Sequence, residues 1–179
     1  MRKTLPAIAA ALSMSACAAV DVPVLAPPVA LVDAAGQAIG TVTASQTSGG
    51  VTLAIRASGL PHGLHGVHVH AVGRCDAPKF ETAGAHWNPA SRKHGLNNPE
   101  GPHAGDMPNV TVSSSGVVNE TLVLAHASLA DLADADGSAL VIHAAADDYM
   151  TDPSGNSGAR IACAVLAPGS GTSMNTVSL

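Results

Sequence analysis

The chain has 179 residues, a formal net charge of −5 and only one Trp, one Tyr and one Phe. This length suits one domain with a buried core, and an acidic chain without a basic tract argues against a nucleic-acid partner. Because aromatic side chains are scarce, Val, Leu, Ile and Ala must fill the core, while 18 Gly and 12 Pro supply turns. The composition therefore favours an all-β domain.

The N-terminal stretch 1–17 has the pattern of a bacterial export signal. Arg2 and Lys3 precede an apolar run that ends at Leu12 and is too short to span a bilayer. The sequence MSAC at 14–17 resembles a lipobox, in which the signal is cleaved before the cysteine. We therefore predict an exported protein of the periplasm or cell envelope.

The three cysteines fit such a protein. Cleavage before Cys17 would leave that residue to be acylated, and this lipid would be the only membrane attachment, at the outer membrane. The alternative is an ordinary signal peptide cleaved after Ala18 or Ala19. Either cleavage leaves Cys75 and Cys163 as a single pair in an oxidising compartment.

The remaining chain alternates short apolar segments with turns. Residues 18–28 contain prolines and no apolar periodicity, which predicts a tether, and 168–179 is expected to be a flexible tail. Between them, over 29–167, eight strands are predicted at 29–32, 38–44, 51–57, 66–72, 110–113, 117–124, 139–143 and 159–166. The connections 73–108 and 144–158 lack periodicity and are expected to be functional loops. This pattern indicates a Greek-key β-barrel or sandwich.

Most of the nine histidines fall within or beside the first long loop. His68 and His70 are two apart on a predicted strand, so both imidazoles project from one face while the valines between and before them face the core. His143 ends another strand, and His86 lies in the loop. Four imidazole nitrogens suit the tetragonal coordination that copper(II) prefers.

A second set of ligands lies within the loop itself: His86, His94, His103 and Asp106. Three imidazoles and one carboxylate would complete a tetrahedral zinc site without a position for water, which is typical of structural zinc. Because His86 belongs to both sets, its ring would have to bridge two metal ions. A bridging imidazole has no N–H proton, a state that two adjacent cations favour.

Three further histidines are predicted to lie outside the metal sites. His65 precedes His68 by three residues, and we expect it to form hydrogen bonds beneath the copper ligands. His62 and His126 are expected to be exposed loop residues without partners.

Six motifs occur in order along the chain: HGVHVH, GAHWNP, KHG, HAGD, LVIHAAADD and GNSGARIACAV. At these spacings they resemble the metal and active-site motifs of the copper/zinc superoxide dismutases, and the resemblance covers about residues 29–166. The match is specific because every ligand position is filled. The resemblance implies a copper ion on His68, His70, His86 and His143, and a zinc ion on His86, His94, His103 and Asp106.

The same resemblance implies roles for four more residues. Asp147 would accept hydrogen bonds from one copper ligand and one zinc ligand. Arg160 would lie at the mouth of the copper channel and bind the anionic substrate. Cys75 and Cys163 would form a disulfide that fixes the long loop to the last strand.

The activity implied is dismutation of superoxide to O2 and hydrogen peroxide, with copper cycling between Cu(II) and Cu(I). Zinc would hold His86, whose copper-side nitrogen would carry a proton for the product. The segment 144–158 contains three Asp and no Lys, so we predict that Lys79 and Arg92 in the long loop steer the substrate.

Two alternatives use the same residues. A copper-holding or copper-buffering protein would bind metal without turnover, and a zinc-stabilised sandwich would use its metal only for structure. Arg160 beside a complete copper set favours the enzyme, because neither alternative needs it. A monomer and a homodimer are both compatible with the sequence.

Overall fold

The computed structural model describes residues 24–170. The strands within them are β1 (Val24–Leu25), β2 (Val29–Asp33), β3 (Ala38–Thr47), β4 (Gly50–Ala57), β5 (Gly63–His65), β6 (Val67–His70), β7 (Val110–Val112), β8 (Val118–Ala125), β9 (Gly137–His143) and β10 (Arg160–Pro168). One α-helix, α1 (Leu129–Leu132), and a turn of 3-10 helix (Glu81–Ala83) complete the secondary structure. Over this part of the chain, no helix is long and apolar enough to cross a membrane.

The strands form a curled antiparallel sheet in the order β6-β9-β10-β2-β3-β4-β8, with β1 beside β3. A small second sheet pairs β5 with β7. Gly66 alone separates β5 from β6, and the turn between Ser113 and Val117 joins β7 to β8. The small sheet thus connects the two ends of the large one, and the predicted all-β class with two long loops is confirmed.

Alternating apolar side chains build the main core. In β4, Val51, Leu53 and Ile55 are fully buried, while the residues between them are half-buried on the outer face. β8 repeats the pattern with Leu122 and Leu124. This period of two is the reason these segments form strands with one face on the core.

Strand β9 is buried on both faces. Leu140 and Ile142 face the main core, whereas the other face meets a second, smaller cluster. That cluster consists of Phe80, Ala83, Ala139, Val141 and Cys163. The first long loop is therefore packed onto the sheet by its own apolar side chains.

Several boundaries differ from the sequence-based prediction. The strand predicted at 66–72 is shorter, since β6 ends at His70, where Ala71 and Val72 donate their amides to carbonyls of the long loop. The short strand β5 precedes it and was not predicted. The prediction that residues 18–28 form a tether is wrong for Val24–Leu25, because these two residues form β1 and pair with β3.

The C-terminal boundary also moves. Pro168, predicted to begin a free tail, pairs with Gly137, and Ser170 donates its amide to the Ala135 carbonyl. The predicted signal sequence and Cys17 lie outside the described residues.

Cys75 and Cys163 form the disulfide that the resemblance implied, with Cα atoms 5.8 Å apart. The bond joins the long loop to β10, and a disulfide fits an exported protein. It closes a segment with a sequence separation of 88 residues. Such a ring restricts the unfolded chain far more than the folded one.

Replacing both cysteines with alanine is expected to lower the free energy of unfolding by about 4 kcal/mol, because the unfolded chain regains its freedom. Denaturant unfolding of the oxidised wild type, the reduced wild type and the double variant measures this. The reduced wild type should match the variant, and an unchanged transition in the variant would contradict the prediction.

Candidate metal centre

Strand β6 presents two histidines to one face. His68 and His70 are fully buried there, while Val67 and Val69 enter the main core from the opposite face. The alternation of a regular strand produces this arrangement, as the sequence predicted. The neighbouring strand β9 ends at His143, which is also buried.

The long loop is hydrogen-bonded to the free edge of β6. Val69 donates its amide to the Gly105 carbonyl at 2.9 Å and accepts from the Trp87 amide at 2.8 Å. This pairing brings His86 opposite the second histidine of β6 and Asp106 opposite the first. The loop is irregular in sequence, but it continues the sheet at this edge.

Four buried imidazoles converge on one point. Each has one nitrogen within 4.8 Å of the corresponding nitrogens of the other three. Among the described residues these are also the buried side-chain nitrogens that lack a hydrogen-bond partner: Nδ1 of His68, and Nε2 of His70, His86 and His143. A buried nitrogen without a partner costs free energy, so the arrangement fits a cation as the missing partner.

Backbone carbonyls determine which nitrogen carries the proton. His70 Nδ1 lies 3.0 Å from the Gly84 carbonyl oxygen, and His143 Nδ1 lies 3.2 Å from that of Gly158. A carbonyl oxygen only accepts, so in both rings Nδ1 carries the hydrogen and Nε2 carries the lone pair. Both lone pairs face the shared point, as metal ligation requires.

A second cluster of candidate metal ligands surrounds one carboxylate oxygen. Oδ1 of Asp106 lies 2.9 Å from His86 Nδ1, 3.1 Å from His94 Nδ1 and 3.2 Å from His103 Nδ1. The Nδ1 atoms of His86 and His103 are 3.4 Å apart. Four ligands at zinc–nitrogen bond lengths would be separated by about 3.3 Å in a tetrahedron, so these four donors fit zinc.

His68 also has a nitrogen within 4.8 Å of donors from His86, His94 and Asp106. Its Nε2 is bonded to Asp147 at 2.6 Å, and its Nδ1 belongs to the first cluster. We therefore assign it to that cluster. Among residues 24–170, His86 is the one residue assigned to both clusters, with one ring nitrogen for each.

Asp147 links the two clusters. Its Oδ2 accepts from His68 Nε2 at 2.6 Å, and its Oδ1 lies 3.0 Å from His94 Nε2. The geometry is the one predicted for this residue. Gly155 packs against the same carboxylate so closely that a Cβ there would overlap it.

Asn109 is a contributor that the sequence analysis missed. Its side-chain amide donates to the Asp147 carbonyl at 3.0 Å and accepts from the Asp147 amide at 2.8 Å. Its backbone amide donates to the Tyr149 hydroxyl at 2.8 Å. These bonds attach the second long loop to the end of the first, but an isolated Asn carries no sequence signal for such a role.

The three remaining histidines differ in their hydrogen-bond partners and in their exposure. His65 contacts the backbone carbonyls of His143 and Pro61 at 2.7 and 2.8 Å, so it supports the strand that carries a ligand. His62 was expected to lack a partner, which is wrong: its Nδ1 lies 2.9 Å from the Val112 carbonyl oxygen. His126 is exposed, as predicted.

Arg160 borders the first cluster. Its Nη1 donates to the Phe80 carbonyl and its Nη2 donates to the Gly84 carbonyl, both at 2.7 Å. It lines a cavity of about 610 Å³ together with three of the converging imidazoles, those of His70, His86 and His143. A half-buried guanidinium therefore faces the same space as the unpartnered nitrogens.

Burial favours the neutral form of three of the converging imidazoles. Desolvation is the main cause, and it lowers the pKa of His70 to about 2, of His143 to about 3 and of His86 to about 4. In His94, burial opposes protonation, but the carboxylates of Asp106 and Asp147 raise its pKa to about 9. Neutral imidazoles are available as metal ligands near pH 7 without losing a proton.

Most cations of the long loop are paired with acids. The pairs are Arg74–Asp76 at 2.6 Å, Lys79–Glu81 at 3.8 Å and Lys93–Asp152 at 3.0 Å. Lys79 and Glu81 share a cavity of about 410 Å³ with Arg160. Arg92 lines neither of the cavities that Arg160 lines.

A sequence profile described as "Copper/zinc superoxide dismutase (SODC)" matches residues 38–166. The chain belongs to the copper/zinc superoxide dismutase family. The family relative "Superoxide dismutase [Cu-Zn] 1" of Aquifex aeolicus is 44% identical over 142 residues, which cover 76% of this chain and 84% of the relative. The "Superoxide dismutase [Cu-Zn]" of Caulobacter vibrioides is 39% identical over 138 residues, covering 73% and 79%.

Solved structures of the family agree with the fold. A SOD-like protein from Bacillus subtilis has a TM-score of 0.77 at 41% identity, covering 80% of this chain and 99% of that chain. The Cu/Zn superoxide dismutase from Brucella abortus has a TM-score of 0.67 at 33% identity, covering 78% and 98%.

For this family member, the depressed histidine pKa values predict an acid-labile metal-free protein. The pKa of an imidazole in the unfolded chain is about 6.5. Below that pH the unfolded chain binds protons at His70, His143 and His86, whereas in the folded protein these rings stay neutral. Stability should therefore be lost as pH falls from about 6.5 to about 4, lowering the melting temperature by roughly 15 °C or more. The raised pKa of His94 adds stability that is lost as pH rises through about 9.

Thermal unfolding of chelator-treated protein between pH 4.5 and 7.5 measures the loss of stability on acidification. Protein loaded with copper and zinc is the control, because metal ions compete with protons for the same nitrogens. A melting temperature that stays level or rises on acidification would contradict the prediction.

Proposed function

We propose that this chain is a superoxide dismutase that converts two superoxide anions and two protons into O2 and hydrogen peroxide. The observation that carries the proposal is a half-buried guanidinium that shares a cavity with unpartnered imidazole nitrogens. A metal ion bound there would have an anion-binding group beside it. Membership of the family supports the same activity.

We assign the metals by donor chemistry. The four converging nitrogens of His68, His70, His86 and His143 would hold copper, because an all-imidazole set suits copper(II). The donors of His86, His94, His103 and Asp106 would hold zinc, because three imidazoles and a carboxylate at these separations suit a closed tetrahedron. His86 would bridge the ions, since its two nitrogens face different clusters.

Copper supplies the two accessible oxidation states that electron transfer to and from superoxide requires. Arg160 would bind the anion, because two of its nitrogens are fixed by carbonyls and the residue lines the cavity. His86 would hold a proton at Nε2 for the peroxide product while its Nδ1 stays on the zinc side. Asp147 would keep the rings of His68 and His94 in their orientations.

The decisive experiment is metal analysis of purified protein together with superoxide consumption. We expect one copper and one zinc per chain and rapid consumption. Arg160→Ala is the matched control: it should retain both metals and lose about 90% or more of the activity, because charge-assisted anion binding is gone. Full metal content without consumption in the wild type would instead favour a copper-holding protein.

We propose that Lys79 provides local steering of superoxide, because its ammonium shares a cavity with Arg160. Glu81, at 3.8 Å, partly offsets it. Lys79→Gln should lower kcat/KM by about twofold at low ionic strength, and Glu81→Gln should raise it by a similar factor, with both effects vanishing in high salt.

Arg92→Gln is the control for these two variants, since it removes one positive charge from outside the cavity. Stopped-flow measurements over a range of ionic strengths compare the three. Equal effects from Lys79→Gln and Arg92→Gln would show that only net charge matters.

We also propose that the mature protein is exported to the periplasm or cell envelope and anchored through a lipid on Cys17. The disulfide supports an oxidising compartment, and the sequence around Cys17 supports acylation. Metabolic labelling with palmitate should mark the wild type but not Cys17→Ser. Equal absence of label in both would indicate an ordinary cleaved signal.

A further inference from the structure

Phe80 has an unusual backbone conformation. Its φ of 56° and ψ of 23° lie in the left-handed region, which bulky side chains rarely adopt. Such a conformation persists only where the surrounding structure enforces it, and these positions concentrate at functional sites. Phe80 is also the one phenylalanine of the chain.

The ring of Phe80 is fully buried. It packs in the second apolar cluster with Ala139 and Val141 of β9 and Cys163 of β10. Its neighbours Lys79 and Glu81 are more than three-quarters exposed. The ring is therefore the large apolar contact that fixes this turn of the loop to the sheet.

The backbone of the same turn holds two groups of the site. The Phe80 carbonyl accepts from Arg160 Nη1 at 2.7 Å and from the Ala83 amide at 3.1 Å. The Gly84 carbonyl accepts from Arg160 Nη2 at 2.7 Å and from His70 Nδ1 at 3.0 Å. The turn 80–84 thus fixes the guanidinium and the imidazole of His70 relative to each other.

We propose that Phe80 is a positioning residue for Arg160: its buried ring anchors the turn 80–84, whose carbonyls hold the guanidinium at a fixed distance from the copper-binding nitrogens. The proposal rests on the proposed function, since this placement matters to an anion that enters the cavity. Phe80 itself contacts neither metal nor substrate. Its effect is transmitted through the two carbonyls.

The test uses Phe80→Ala and Phe80→Leu in protein loaded with copper and zinc. Azide serves as a small anionic probe, and its dissociation constant is read from the copper absorption spectrum without turnover. Phe80→Ala should weaken azide binding by about tenfold and lower kcat/KM by a similar factor, because the guanidinium loses one fixed hydrogen bond. Phe80→Leu keeps part of the apolar contact and should show the same changes at about threefold.

A double-variant comparison separates positioning from general destabilisation. If Phe80 acts through Arg160, adding Phe80→Leu to Arg160→Lys should weaken azide binding no further than Arg160→Lys does alone. Leu124→Ala, a cavity in the main core, is the matched stability control and should leave azide binding unchanged. Independent, multiplicative effects of the two substitutions, or an equal loss in Leu124→Ala, would overturn the proposal.

Superoxide consumption by the wild type tests the proposed function separately from the positioning role of Phe80. If metal-loaded wild type consumes superoxide and Phe80→Leu binds azide as tightly as wild type, the positioning role is wrong and the enzyme stands. If metal-loaded wild type does not consume superoxide, the proposed function fails, while the azide titrations still test whether Phe80 positions Arg160.

Discussion

Four buried imidazole nitrogens without hydrogen-bond partners are the constraint on which the structure depends. Each of these nitrogens is buried, and all four residues direct a nitrogen to the same small region, within 4.8 Å of one another. Burial is the main cause that lowers the pKa values of His70, His143 and His86, so these three rings stay neutral near neutral pH. One cation can satisfy all four nitrogens at once, so the arrangement of these side chains favours metal binding.

The rest of the site serves to hold these rings in place. Carbonyls of Gly84 and Gly158 and the carboxylate of Asp147 each bind a ring nitrogen that does not face the shared point. The two long loops supply all three of these groups. This division explains why long irregular segments persist in a compact sheet protein: their backbone is used to orient ligands that the strands carry.

Side-chain chemistry was predictable from the sequence to a large extent. The spacing of His68 and His70 on a strand predicted their common face, and the density of histidines in the loop predicted a metal centre. The position of Arg160 beside the cavity followed from motif resemblance. The first two predictions rest on a residue type or a period that is visible in the chain, and the third rests on the motifs.

Backbone contributions were not predictable in the same way. The carbonyls of Phe80 and Gly84 have no side-chain signature, and a positive φ at a phenylalanine contradicts local preference. The pairing of β1 involves only two residues, and α1 is a single turn, so neither produces a period. Tertiary contacts determine all of these features.

The pairing of the long loop with β6 also covers an edge of the large sheet. The amide of Val69 donates to the Gly105 carbonyl, and its carbonyl accepts from the Trp87 amide. These backbone groups of the edge strand are therefore not available for pairing with another chain. Detachment of the loop would uncover the backbone of β6, a short strand in which valine and histidine alternate. The segment that assembles the metal centre therefore also covers the backbone of this edge strand.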